Sequence, residues 1–199
     1  DKEENMIELK NICVKYSEQI VLNNLNVKID DGAFVCVTGS SGAGKTTLFR
    51  LLMGLIMQES GEVLGISGKK ISVVFQENRL CENISAIRNV SLVLVEKERV
   101  QIAKRHLCEL LPDENLQIPV NQYSGGMKRR VAIARAMAYP SDVILLDEPF
   151  TGLDRETMEA TVEYIKKYKG NRTVLCIAHK EEEIQAIHPD WYLEIKKYS

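Results

Sequence analysis

Residues 34–47 read FVCVTGSSGAGKTT: an apolar run from Phe34 to Thr38 breaks into Gly39-Ser40-Ser41-Gly42-Ala43-Gly44-Lys45-Thr46. The second half is G-x-x-x-x-G-K-T in full, with an additional glycine at Gly42. A Val-rich run that ends in glycines predicts a strand followed by a sharp turn. The next stretch, Thr46–Met57, is apolar on most faces and predicts a helix. Strand, glycine loop and helix in that order build a phosphate cradle. Glycines let the backbone curl so that several N–H groups converge on one phosphate, and the helix adds the positive end of its dipole. Gly39, Ser40, Ser41, Gly42, Ala43, Gly44, Lys45, Thr46 and Thr47 are therefore the candidates for nucleotide contact. Lys45 would reach the β and γ phosphates, and the Thr46 hydroxyl would ligate Mg2+. Kinases, GTPases and ATPases all use such a loop, so the reaction stays open at this point.

On either side of the loop the chain alternates between two kinds of pattern. Residues 6–14 (MIELKNICV) and 25–29 (LNVKI) alternate apolar with polar, as half-buried antiparallel strands do. Ile71–Phe75, Val143–Leu146 and Thr173–Ala178 are short continuous apolar runs like Phe34–Thr38. Strands covered on both faces look like this, which implies a parallel sheet. Glu96–Leu111, Met127–Ala138 and Glu156–Lys167 fit helices. Strands interleaved with helices indicate an α/β fold. Between about Glu77 and Ala138 no convincing strand occurs, and a helical insert is expected there.

Composition sets further bounds. The 199 residues are 45% hydrophobic and 27% charged, which suits one globular domain with its own core. With 26 basic against 28 acidic side chains there is no large positive field, which argues against a nucleic-acid partner. The longest apolar stretch, Leu51–Met57, falls far short of the ~20 residues of a membrane-spanning helix. The acidic start DKEENM does not resemble a secretion signal. Cys13, Cys36, Cys81, Cys108 and Cys176 are scattered and include no C-x-x-C pair, as in a reduced, cytoplasmic protein. Cys36 and Cys176 lie inside apolar runs and are expected to be small buried hydrophobes.

Val143–Pro149 (VILLDEP) is an apolar strand that ends in two acids. In a parallel sheet the strand C-termini line the ligand crevice, so Asp147 is expected to face Lys45 and to hold Mg2+. Glu148, one residue on, is placed to orient or deprotonate an attacking water. His106 and His188 lack such a context and read as surface or packing residues. The run Lys128-Arg129-Arg130 reads as a solvated helix face, and Lys166, Lys167, Lys169, Lys196 and Lys197 as solubility charges.

At Gln122–Ala136 (QYSGGMKRRVAIARA) the chain resembles the signature motif and following helix of ABC-type ATPases. Further elements of that family match in order: Tyr16 at the adenine-stacking position, Gln76 at the Q-loop, Thr151-Gly152-Leu153-Asp154 at the D-loop and His179 at the switch. The resemblance runs from about Ile7 to Glu183. It implies a P-loop NTPase core with a mostly parallel sheet, an N-terminal antiparallel β subdomain and a helical subdomain at about 77–138, within one domain spanning 1–199. It implies Glu148, His179 and Gln76 as catalytic residues, with Thr46, Gln76 and Asp147 at Mg2+. It also implies a head-to-tail dimer, in which Ser124, Gly125, Gly126 and Asp154 of one chain close over ATP held by a second copy.

The same resemblance implies a transporter motor, with separate permease subunits docking near Gln76–Val90. Such a motor works in the cytoplasm, peripheral to the inner face of the cell membrane. The FQENRL stretch combined with SGGMKRRVAIARA is similar to the nitrate/sulfonate/taurine importer branch. The alternatives are an exporter motor and a soluble ABC ATPase of the iron–sulfur assembly type. A DNA-repair relative would need a long coiled coil between Lys45 and Ser124, where no sustained heptads occur. Two positions depart from the usual L-S-G-G-Q signature, Tyr123 and Met127. The thioether of Met127 cannot make the hydrogen bonds of a glutamine. The segment between the phosphate loop and Gln76 is short, as is the C-terminal end, and no appended regulatory domain is expected.

Overall fold

The computed structural model describes residues 6–198. The acidic start at residues 1–5 lies outside them. Strands β1 (Met6–Tyr16), β2 (Gln19–Asp30) and β3 (Phe34–Thr38) lead through the glycine loop into helix α1 (Lys45–Leu52). There follow β4 (Ser60–Leu64), β5 (Ile71–Val74), α2 (Ala86–Ser91), α3 (Arg99–Cys108) and α4 (Gly125–Ala138). The last third alternates β6 (Val143–Asp147), α5 (Arg155–Lys169), β7 (Thr173–Ile177), α6 (Glu181–Ile187) and β8 (Trp191–Glu194).

The continuous apolar runs pair as expected. Together with β8 they form one sheet in the order β5-β6-β7-β3-β8, and its pairings are parallel. Successive side chains of a strand point to opposite faces, so each run feeds two cores. Cys36, Ile144, Leu146, Val174 and Cys176 pack towards α4 and α5 on one face. Val35, Val37, Val143, Leu145, Leu175 and Ile177 pack against α1 and the strands β1 and β2 on the other. Both faces are covered, which is why the central strands are apolar at nearly every position. Cys36 and Cys176 lie opposite one another in register and are fully buried. Burial pushes the Cys36 thiol up to about 11, so both cysteines are packing residues.

The alternating strands form a separate antiparallel sheet, β2-β1-β4. Two strands escaped the sequence reading, β4 and β8. Both sit at sheet edges, bury every second residue or fewer, and so carry no apolar run. Helix α1 stops at Leu52, short of the expected Met57. Gly54 takes a left-handed φ of 67°, and Gly54 N–H and Leu55 N–H close back on Leu51 and Arg50, a C-terminal stop signal. Helices α4 and α5 begin slightly earlier than expected, because Ser124 and Asp154 cap them.

Between β5 and β6 the chain is helical, as anticipated, with α2, α3 and α4 packed on one another. The short α2 buries Ala86, Ile87, Asn89 and Val90, so the expected Gln76–Val90 docking surface faces out mainly in its first half, with Arg88 the exposed residue of the second. His106 of α3 is buried against α5, with Nδ1 2.7 Å from the Tyr164 hydroxyl.

Candidate nucleotide-binding site

The C-terminal ends of β3, β5, β6 and β7 lie along one edge of the parallel sheet, and each delivers a functional group there. The loop after β3 needs glycine for steric reasons at both ends. Gly39 has φ 138°, and a Cβ there would lie 2.3 Å from the Ile195 carbonyl oxygen. Gly44 has φ 106°, and its Cβ would lie 2.9 Å from both Leu22 Cδ2 and Val21 Cγ1. Lys45 is buried, and its Nζ donates to the carbonyls of Gly39 (2.8 Å) and Ser40 (2.9 Å). The loop thus holds the ammonium at its own mouth. Burial lowers the Lys45 pKa, and Glu148 and Asp147 oppose that shift.

Asp147 faces Lys45's helix as the strand order required. The Thr46 hydroxyl donates to Asp147 Oδ2 at 3.2 Å. Burial raises the Asp147 pKa, with the Thr46 hydrogen bond acting the other way. A hydroxyl and a buried carboxylate side by side form a hard oxygen donor set, and a cation there would offset the buried charge, so the residues fit Mg2+. Glu148 follows with φ 50°, a turn out of the strand. Its Oε1 is 2.8 Å from His179 Nε2, and its Oε2 accepts from Gln76 Nε2 at 3.4 Å.

Tyr16, Ser41, Gly42, Gly44, Lys45, Thr46, Thr47, Gln76, Glu148 and His179 line one open cleft of about 470 Å3. Tyr16 is substantially exposed beside it, and Ala43 is buried beneath. Gly39 and Ser40 contribute carbonyls to Lys45. Ser124, Gly125, Gly126 and Asp154 line a different cleft of about 490 Å3, and Gln76 borders both. Ser124 Oγ accepts from Met127 N–H (3.2 Å) as the N-cap of α4. The Asp154 carboxylate accepts from Thr157 N–H (2.9 Å) and Oγ1 (2.8 Å), so its first task is to cap α5.

The signature departures have packing explanations. The Tyr123 ring is buried and its hydroxyl donates to the Asn115 carbonyl. Met127 is half-buried against the α4 and α5 core.

The basic run at 128–130 is not a solvated face. Arg129 is 3% exposed, and its guanidinium donates to the carbonyls of Phe75, Gln76 and Glu148. Arg130 donates to the Leu110 and Gly126 carbonyls, and Lys128 pairs with Glu82. A signal for this existed: Arg129 stands at helical spacing from the buried Ala132, Ile133 and Ala136. Among the lysines read as solubility charges, Lys169 donates to the Gly32 carbonyl and Lys167 pairs with Glu109.

Comparison with known proteins gives the family. A family model described as ABC transporter matches residues 22–151. The intermembrane phospholipid transport system ATP-binding protein MlaF of Haemophilus influenzae is 33% identical over 92% of this chain and 78% of its own length. The bicarbonate transport ATP-binding protein CmpD of Synechocystis sp. is 36% identical over 82% of this chain, which spans 63% of that protein. Among solved structures, the dimeric post-hydrolysis state of the ATP-binding cassette MJ0796 bound to ADP and Pi superposes with a TM-score of 0.81 at 30% identity, covering 95% of this chain and 96% of that one. The chain belongs to the ABC transporter family, as one of its ATP-hydrolysing nucleotide-binding subunits.

Proposed function

We propose that this subunit binds ATP in the cleft beside Tyr16 and that two copies close head to tail. Ser124, Gly125 and Gly126 of one copy then meet the γ-phosphate held by Lys45 of the other. The observation that carries this reading is the separation of Lys45 and Ser124 into two clefts of one chain. Each cleft is half an anion site: a glycine-rich turn, a helix N-terminus and polar side chains. Both clefts are open on one side.

In this reading Tyr16 stacks on adenine, and the N–H groups of the loop from Gly39 to Thr47 cradle the phosphates with the Lys45 ammonium. Thr46, Asp147 and Gln76 would hold Mg2+, which neutralises charge on the phosphates. Glu148 orients the attacking water and accepts its proton as the water oxygen bonds to the γ-phosphorus and the bond to ADP breaks. His179 holds the Glu148 carboxylate through the 2.8 Å contact and faces the γ-phosphate. Catalysis of this kind rests on positioning and electrostatics. The Asp154 carboxylate, engaged by Thr157, acts at the dimer rim through the loop it stabilises.

The chain is read as one cassette with the helical subdomain at about 77–138 inserted into its core. Separate permease subunits are proposed to supply the channel, on the strength of the family and of relatives that are ATP-binding proteins of transport systems; no helix among the described residues is long and apolar enough to cross a membrane. Their docking site is a groove of about 170 Å3 between α1 and the Phe75–Arg79 segment, lined in part by Arg50, Met53 and Leu55. Leu55 in its lining is an exposed apolar side chain, as is Met57 two residues on. Import of a small solute of the nitrate, sulfonate or taurine kind is the finer proposal, and it rests on the FQENRL and SGGM stretches.

The test is light scattering on Glu148→Gln with and without ATP–Mg2+, alongside its hydrolysis rate. We expect a mass that doubles with ATP and a rate at least about 100-fold below wild type. Undiminished hydrolysis would remove Glu148 from its role. A mass that stays at one chain would overturn the dimer of identical subunits.

A further inference from the structure

Helix α4 grips the segment 75–82 with three cationic side chains. Lys128 pairs with Glu82 at 2.8 Å. Arg135 donates to the carbonyls of Arg79 (2.9 Å) and Asn78 (3.2 Å). Arg129 donates to Phe75 (2.6 Å) and Gln76 (2.9 Å). Arg129 alone of the three reaches further, to the Glu148 carbonyl at 3.1 Å. One planar guanidinium therefore joins α4, the backbone of Gln76 and the backbone of Glu148.

The arrangement is costly and thus specific. The Arg129 guanidinium is buried, and burial disfavours its charge against the pull of Asp147 and Glu148. Its recorded hydrogen-bond partners are carbonyl dipoles. Two parallel N–H groups on each side of a rigid fork suit three fixed carbonyls in a way that a lysine ammonium does not. The fork also meets Glu148 where the backbone is least comfortable, at φ 50° for a residue with a Cβ. Arg129 sits five residues after the Ser124 cap, about 7.5 Å along the helix. It borders the Ser124 cleft, so one end of its helix touches that cleft while its side chain holds the other.

We infer that Arg129 is a positioning residue that couples the Ser124 cleft to the hydrolytic geometry at Glu148 and Gln76 of the same chain. A phosphate seated against Ser124–Gly126 shifts α4, and α4 carries the Gln76 and Glu148 backbones with it. Each ATP in the dimer thereby sets the readiness of the other. This inference rests on the proposed role of Glu148.

The experiment measures kcat, KM and the Hill coefficient of Arg129→Met and Arg129→Lys, with affinity read separately from a fluorescent ATP analogue. Glu148→Gln runs alongside. Displacing a reacting group by about 1 Å costs on the order of 100-fold, so Arg129→Met is expected to lose about 30- to 100-fold in kcat. Its analogue affinity should stay within about twofold and its Hill coefficient should fall towards one, because its guanidinium donates to the carbonyls of Phe75, Gln76 and Glu148. Arg129→Lys keeps the charge but not the fork and is expected to recover part of kcat. A folded Arg129→Met with wild-type kcat overturns the inference, as does a parallel fall of kcat and affinity, the mark of a merely structural role. If Arg129→Met does not fold, Arg129→Lys decides: reduced kcat at intact affinity supports the coupling, and wild-type kcat overturns it. Normal hydrolysis by Glu148→Gln would instead break the reading underneath. An inactive Glu148→Gln beside fully active Arg129 variants would break the coupling alone.

Discussion

Gly44 shows how tightly single residues are constrained at the site. Its φ of 106° is outside the range L side chains adopt readily, and a Cβ would press on Leu22, Val21 and the Val21 carbonyl at 2.9–3.0 Å. Those neighbours belong to β2, so the phosphate loop is held in shape by the antiparallel sheet. Gly44→Ala is expected to destabilise the chain by about 1–3 kcal/mol through backbone strain and overpacking. It should also weaken ATP, because Lys45 follows directly. Thermal denaturation and analogue binding together check this, and unchanged values in both would mean the loop can relax away from β2. Arg129 makes the same point with a charged side chain. The carbonyls that hold it lie up to 54 residues away in the chain.

At the scale of elements, the contact between α3 and α5 turns on a buried imidazole. His106 Nδ1 meets the Tyr164 hydroxyl at 2.7 Å, and the Tyr168 ring lies 4.4 Å from its own. Burial lowers the His106 pKa to about 4; Arg105 and Arg172 add to the effect and Glu109 opposes it. The unfolded chain, with a histidine pKa near 6.5, takes up the proton first as pH falls. Stability is therefore full above about pH 6.5 and is lost progressively down to about pH 4, with an upper bound of about 3 kcal/mol. Melting temperatures across that range should fall more steeply for the wild type than for His106→Gln. Parallel slopes would mean that other groups carry the acid sensitivity.

For the molecule as a whole, the decisive feature is that Lys45 and Ser124 line different clefts of one chain. In the proposed head-to-tail dimer, closure is bimolecular. The hydrolysis rate per chain of the wild type is expected to rise with protein concentration and then level off as the dimer fills. A rate per chain that is flat from dilute to concentrated solution would show that the cleft with Lys45 works without the Ser124 cleft of a second copy. Permease subunits would hold two copies together and remove this dependence.

Most of the site was legible because its chemistry is local. Lys45, Gln76, Glu148 and His179 each stand within a few residues of the end of an apolar strand, and a parallel sheet must bring those ends to one edge. The central strands could be read for the same reason, since burial on both faces leaves a continuous apolar run. The edge strands β4 and β8 could not, because an edge needs no such run. Charged residues are rarely buried, so a basic run reads as surface; the spacing of Arg129 from Ala132, Ile133 and Ala136 is a local hint otherwise, and its distant carbonyl partners are visible only in the fold. The bonds from Thr157 to Asp154 likewise belong to the fold: a D-loop position gives no sign that the carboxylate also caps α5. By itself, then, the amino-acid sequence determined the phosphate loop, the α/β class and the group at each strand end. These depend on backbone geometry and side-chain periodicity over a few residues. The tertiary structure alone decided that Lys45 and Ser124 occupy different clefts, that α4 grips the Phe75–Glu82 segment, and that a guanidinium is tied to Glu148. Each of these depends on which distant carbonyls and surfaces the packed chain brings together.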